Sequence, residues 1–450
     1  MRIENEAGRK ITLRRGTVNM DRKLNIFQKT MLQWNDLHPY NVVHVFRVPA
    51  ELDLERLRKV VNGALEEQGV TGVTLNRDRG TFRYHGGPAS CEIKTIVGGA
   101  SLRAALCAEI EQQLNTAFAQ GERFSPFKFF AVPEPNAFSL GIVYFHAVAD
   151  AESIALLARE IIEVYLKGDG SRDFQPLNFD FNRRNNLLRR PGLLIRKLAT
   201  LPALAGKMRL SRHITYLDEN DFGNGFTFFS LASGDLDLLL KTAKAWDVTL
   251  NDLFLSLLMK ALSNLKPDHD HHPRRRNISV GCIVNLRKDL GLEGRRTFGL
   301  FLGSLIVSHE VPGGISLMEL AKAIRRQTRA IKRGKLYLGT PLEMSLGRFM
   351  LSWFSLERRK KLYRRHYPLW GGVTNMNFNS LWPQLPGGKM VDCFRAISTG
   401  PVTPLVLSVT TVGNAVNCGV TFRSTVFSGL DIERIKGDFF EMLKRLQSQS

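Results

Sequence analysis

Between residues 41 and 166 the apolar positions switch repeatedly between a strand period and a helix period. The stretch 41–48 is a β-branched run suited to a strand, and Leu54, Leu57, Val60, Val61 and Leu65 then recur at helical spacing across 53–68. The helical period returns over 101–118, and 138–145 reads as strand again. Over 152–166, Ile154, Leu157, Ile161 and Val164 form one apolar stripe. This alternation predicts an α/β first unit with His146 at a strand-to-helix junction, a place where such scaffolds present reactive side chains.

From 168 to about 225 the pattern loosens around Pro176, Pro191 and Pro202, which marks a crossover. A second unit follows. Thr249 is placed to cap a helix over 250–265, with Asp252 three residues on in capping-box position. Strands are expected at 278–284 and 303–307, a helix at 317–331, and a hairpin of 405–412 and 416–423 turning at Gly413-Asn414. A final amphipathic helix spans 431–446. A chain of 450 residues exceeds what one core usually holds, so the expected division is a basic N-terminal extension (1–24), a first domain (25–180), a basic crossover (181–225) and a second domain (226–450).

Hydrophobic residues at 44% and charged residues at 23% are ordinary globular values. The five cysteines, Cys91, Cys107, Cys282, Cys393 and Cys418, are scattered without a CxxC pair, which fits a reducing compartment. Residues 1–23 are basic but lead into no apolar run of signal-peptide length, and no uncharged stretch approaches the ~20 residues of a membrane span. A cytoplasmic monomer is expected, with peripheral membrane contact as a further option.

The net charge of +21 is concentrated. Residues 183–212 hold nine Lys or Arg and no acid, and 325–366 hold thirteen against two. Such windows point to an anionic partner. No recognition-module signature accompanies them, so specific nucleic-acid binding is not expected. The Leu/Arg mixture of 186–201 reads equally as a helix lying on anionic lipid and as one packing its leucines inward. The stretch 344–353, followed by Arg358-Arg359-Lys360-Lys361, repeats the mixture and tilts the reading slightly toward membrane contact.

A histidine is the natural general base near neutral pH, and His146 with Asp150 four residues on is the candidate constellation. HxxxD alone is weak. The run Asp268-His269-Asp270-His271-His272 looks metal-like, but it lies between Pro267 and Pro273 and reads as a solvated loop; no metal is expected. HExxH, GxSxG and Walker-type sequences are absent.

Ordered landmarks accompany His146. They are Asn25-Ile26-Phe27-Gln28, Arg123-Phe124-Ser125-Pro126-Phe127, Phe145-His146-Ala147-Val148-Ala149-Asp150, Thr249-Leu250-Asn251-Asp252, Val284-Asn285-Leu286-Arg287, Phe298-Gly299-Leu300-Phe301-Leu302-Gly303 and Val373-Thr374-Asn375-Met376-Asn377. In this order they resemble the superfamily of chloramphenicol acetyltransferase, peptide-synthetase condensation domains, BAHD acyltransferases and wax ester or alcohol acyltransferases. The resemblance implies two chloramphenicol acetyltransferase-like α/β domains with a tunnel between them. It implies His146 as general base, Asp150 pairing with Arg287 behind the loop, and Thr374, Asn375 and Asn377 as oxyanion or substrate contacts. No permanently bound cofactor is implied; acyl-CoA or a phosphopantetheinyl group on an acidic acyl carrier protein is the co-substrate, and a hydroxyl or amine the acceptor. Two departures stand out: Phe145 replaces the first histidine of HHxxxDG, and Ala151 replaces the glycine. A noncatalytic condensation-like protein that binds a carrier or lipid is the alternative.

Overall fold

The structure is a computed structural model; it describes residues 2–4, 10–12, 21–97, 101–168, 174–179, 191–265, 274–355, 358, 368–382 and 392–448. Local signals place the helices. Asp53, Ser101 and Asp150 each cap a helix by accepting from the backbone N–H three residues on, starting Leu54–Gln68, Leu102–Asn115 and Ala151–Lys167. Reciprocal capping boxes start Ile26–Asn35 (Asn25 with Gln28), Leu317–Arg333 (Ser316 with Glu319) and Gly429–Gln447 (Ser428 with Asp431).

The strands form two principal sheets. The first runs in the order Asp392–Ile397, Asn41–Val48, Ala137–Phe145, Phe127–Glu134, Ile93–Thr95. The second runs Asn224–Ser230, Ala415–Arg423, Leu405–Val412, Gly371–Asn377, Ile278–Asn285, Leu302–His309. Every residue of Ala137–Phe145 is buried, as expected of a central strand covered on both faces. One hydrophobic core lies around the first sheet, and a second gathers Leu250–Leu265, Gly429–Gln447 and the inner strands of the second sheet.

One strand crosses the expected division at 181–225. Asp392–Ile397 pairs antiparallel with Asn41–Val48, with Arg395 opposite His44, so a strand from within 226–450 completes the first sheet. The same strand presses against the second sheet: a Cβ on Gly419 would lie 2.1 Å from the Arg395 carbonyl oxygen. Phe378, Trp382, Cys393 and Phe394 accordingly belong to the first core. The two halves are bound by shared backbone pairing as well as by packing.

The basic windows also change in three dimensions. Lys197 is buried on helix Pro191–Leu210 and pairs with Glu343 at 2.7 Å, while Arg325, Arg329 and Lys335 lie within 4.0 Å of Asp252, Asp247 and Asp289. Parts of both windows, and the run 268–272, lie outside the described residues. Among the described residues no helix is long and apolar enough to cross a membrane, and no cluster of His, Cys, Asp and Glu is arranged for a metal.

Candidate active site

His146 follows directly on the central strand Ala137–Phe145, and Asp150 caps the helix that begins at Ala151. The three residues between them form a tight turn whose carbonyls are all satisfied. Gln28 Nε2 donates to the Ala147 oxygen at 2.9 Å, Tyr84 Oη to that of Val148 at 2.7 Å, and His146 Nδ1 lies 3.3 Å from that of Ala149. Two separate segments of the first half and the His146 ring thus hold one turn, which is how a short loop becomes a rigid one.

Because a carbonyl oxygen only accepts, the Ala149 contact places the hydrogen on Nδ1 and leaves Nε2 with a lone pair. Among the described residues Nε2 bonds to no protein atom, and it is not among the polar atoms sealed without a partner. His146 is 8% exposed, and its ring stacks on Tyr40 (centroids 5.4 Å apart) and meets Tyr144 edge-on at 5.9 Å. Burial among these rings pushes its pKa down to about 4, against the smaller upward pull of the Ala149 hydrogen bond and the Asp150 charge. At neutral pH the imidazole is an uncharged acceptor.

Asp150 does not hydrogen-bond the imidazole; it faces the second half of the chain. Its Oδ2 accepts from Arg287 Nη1 at 2.8 Å and from the Phe301 amide at 3.0 Å, and Oδ1 from Arg287 Nη2 at 2.9 Å and the Ser153 amide at 3.0 Å. Arg287 Nη2 also reaches the Thr297 carbonyl at 3.0 Å, and its guanidinium lies 4.7 Å from the centroid of the Phe301 ring. Burial works to raise the Asp150 carboxyl, but the Arg287 charge and these donors outweigh it and hold the pKa below its ordinary value. The bidentate geometry is the strong form of an arginine–carboxylate contact. Gly299, at φ +152°, lets the chain turn its carbonyl to the Asp150 amide at 2.9 Å while its own N–H reaches Ser153 Oγ at 2.9 Å.

No family model matches the sequence, and no curated protein does. Solved structures do. The first condensation domain of the CDA synthetase aligns at a TM-score of 0.69 with 13% identity, covering 96% of this chain and 97% of that one. The EpoB cyclization-docking bidomain from Sorangium cellulosum aligns at 0.68 with 11% identity, over 97% and 87% of the two chains. The epimerization domain from the third module of tyrocidine synthetase B aligns at 0.64 with 15% identity, over 96% and 97%.

The chain has the condensation-domain fold. Its two chloramphenicol acetyltransferase-like lobes are the two sheets with their helices, and the Asp150–Arg287 pair joins them directly behind the His146 turn. Phe145, which the resemblance sets against a first histidine, is an apolar side chain buried against Phe118 and Phe124. Ala151 opens a helix and is not among the residues with positive φ, so its backbone asks nothing that only glycine supplies.

Thr374, Asn375 and Asn377 lie on strand Gly371–Asn377, which pairs with Ile278–Asn285 at Gly371, Gly372 and Val373 and no further. Beyond that point the parallel strands part. Thr374 is half-buried while Asn375 and Asn377 are exposed, and none of the three hydrogen-bonds His146; the Thr374 carbonyl instead accepts from Arg395 Nη2 at 3.1 Å. Four residues beside the site escape the sequence reading: Tyr40, His44, Tyr144 and Arg395. The available signal is His44, a polar residue set between Val43 and Val45 in strand Asn41–Val48, which is fully buried with its Nδ1 unpaired.

Proposed function

We propose that the protein is an acyltransferase that moves an acyl group from a thioester to a hydroxyl or amine, with His146 as general base. The observation that carries this reading is the neutral, clamped imidazole whose Nε2 is left open. Nε2 takes the proton of the acceptor O–H or N–H as that atom bonds to the thioester carbonyl carbon. The carbonyl electron pair moves onto oxygen, and the tetrahedral oxyanion forms. When the C=O bond re-forms, the C–S bond breaks and the imidazolium returns the proton to the leaving thiolate. Thr374, Asn375 and Asn377 are the proposed oxyanion or substrate contacts, from the strand segment that has parted from its neighbour.

The donor is acyl-CoA or an acidic acyl carrier protein, drawn to the excess positive charge. Exposed Ile195, Leu198 and Leu210 beside exposed Arg196 and Arg209 on Pro191–Leu210 support contact with an anionic membrane. A noncatalytic binding role is the second reading, favoured by the X-domain from teicoplanin biosynthesis, which is solved on this fold in complex with OxyB.

One assay separates the two. Thiol release is measured from a panel of acyl-CoA and acyl-carrier donors with hydroxyl and amine acceptors, for the native protein and His146→Ala. Acceptor-dependent release lowered roughly 10²- to 10⁴-fold by the substitution is expected. Release that His146→Ala leaves unchanged, or none from any donor, overturns the enzyme reading.

A further inference from the structure

Four cations are buried in the described residues: Lys197, Arg287, Arg395 and Arg423. Three feel an acid. Lys197 pairs with Glu343, Arg287 with Asp150, and Asp221 acts on Arg423, whose guanidinium also covers the Phe222 ring at 4.3 Å. Arg395 is the exception. It is 1% exposed, and among the described residues it pairs with no Asp or Glu; the groups that favour its charge are the Cys393 thiol and the Tyr144 phenol, both neutral at pH 7. Burial lowers it to about 10, so it remains a cation in neutral solution.

Its guanidinium reaches from the first sheet into the second. Nε donates to Thr410 Oγ1 at 3.0 Å, and Nη2 to the carbonyls of Val409 at 2.7 Å and Thr374 at 3.1 Å. Among the described residues Nη1 donates to no protein atom and, like His146 Nε2, is not sealed without a partner. The strand register ties it to the candidate base. Arg395 stands opposite His44 and His44 opposite Ile142, so their side chains leave the sheet on one face. Tyr144, two residues beyond Ile142, shares that face, meets His44 at 5.5 Å and His146 at 5.9 Å between ring centroids. The unpaired cation and the imidazole therefore bracket the His44–Tyr144 pair at the junction of the two lobes.

We propose that Arg395 anchors a subsite for a substrate carboxylate, binding it through Nη1 while the reacting group of the substrates lies at His146. A carboxylate fits better than a phosphate because one nitrogen is open and the rest of the fork is committed to protein acceptors. Arg395 is thus a specificity residue rather than a catalytic one. The inference rests on the acyl-transfer reading and names the class of substrate: one bearing a carboxylate remote from its reacting atom.

The test begins with binding, apart from turnover. Phenylacetate, phenylacetamide and inorganic phosphate are titrated calorimetrically into the native protein, His146→Ala, Arg395→Gln and Arg395→Lys, each checked for folding by circular dichroism. Phenylacetate should bind the native protein and His146→Ala at least tenfold more tightly than the amide or phosphate do. Arg395→Gln should lose that preference, and Arg395→Lys, which keeps the charge, should retain part of it. Equal binding of acid and amide, absence of phenylacetate binding to the native protein, or an unchanged preference in Arg395→Gln overturns the subsite. Two turnover arms find the carboxylate's source: an amino-acid acceptor against its amide, and a dicarboxylic acyl thioester against its monocarboxylic analogue. Where thiol is released, a preference in either arm, lost in Arg395→Gln, supports the subsite and assigns it to that substrate, and turnover with no preference in either arm overturns it. Failure of thiol release with carboxylate binding intact removes the acyl-transfer reading alone, and the converse result removes the subsite alone.

Discussion

The neutral state of His146 has a measurable cost in acid. The folded ring takes a proton only near pH 4, whereas in the unfolded chain it does so near the ordinary value of 6.5. Between those values the unfolded state binds the proton and the folded state does not, so stability falls as pH drops through 6.5 toward 4. At about 1.4 kcal/mol per unit, the whole window is worth about 3 kcal/mol, and about 2 kcal/mol of it is gone by pH 5. His146→Gln removes this ring and leaves every other titrating group in place, including His38, His44, His85 and His309, whose pKa values burial also lowers. Urea unfolding of both proteins at pH 7.5 and pH 5 gives the comparison. The native protein should lose about 2 kcal/mol more than the variant between the two conditions. Equal losses would refute the placement of a neutral, desolvated imidazole at this turn, and with it the physical basis for the base.

Asp150→Ala leaves the Arg287 guanidinium buried without its bidentate partner, which should cost roughly 3–5 kcal/mol in urea unfolding; a loss below about 1 kcal/mol contradicts the joint between the lobes. Gly419→Ala drives a methyl group against the Arg395 carbonyl and Ser408 Oγ, so a loss of roughly 1–3 kcal/mol is expected, together with faster amide exchange in Asp392–Ile397. Slow exchange there with full stability would show that the shared strand is not clamped between the sheets. Ala151→Gly should cost no more than about 1 kcal/mol and leave turnover within twofold, because the position is ordinary helix; a large gain in turnover would show that the alanine methyl obstructs the site.

Much of the frame is local in origin and legible along the chain. The strands at 41–48 and 405–412 and the helices begun by Asp53, Ser101, Thr249 and Ser316 follow from apolar period and from side chains that cap their own neighbours. The ordered landmarks also acquire physical roles. Asn25 and Gln28 form a capping box whose glutamine holds the Ala147 carbonyl, and the stretch around Gly299 holds Asp150 and Ser153. A short strand such as Asp392–Ile397 carries no such signal, since its partner is at the far end of the chain and pairing energy leaves little trace in six residues.

Sequence by itself determined the run of strands and helices, because periodicity and capping are written over short distances, and its ordered landmarks, through the resemblance they carry, pointed to a two-lobed frame with His146 as the candidate. Tertiary structure alone decided the state of the site. The imidazole is neutral because rings from other strands exclude water from it, and the Lys197 charge within a basic window is neutralised by a distant glutamate. Arg395 remains a buried cation without an acid because register, not composition, sets what stands opposite it. Desolvation and charge pairing depend on which groups meet in space, and no local pattern encodes that meeting.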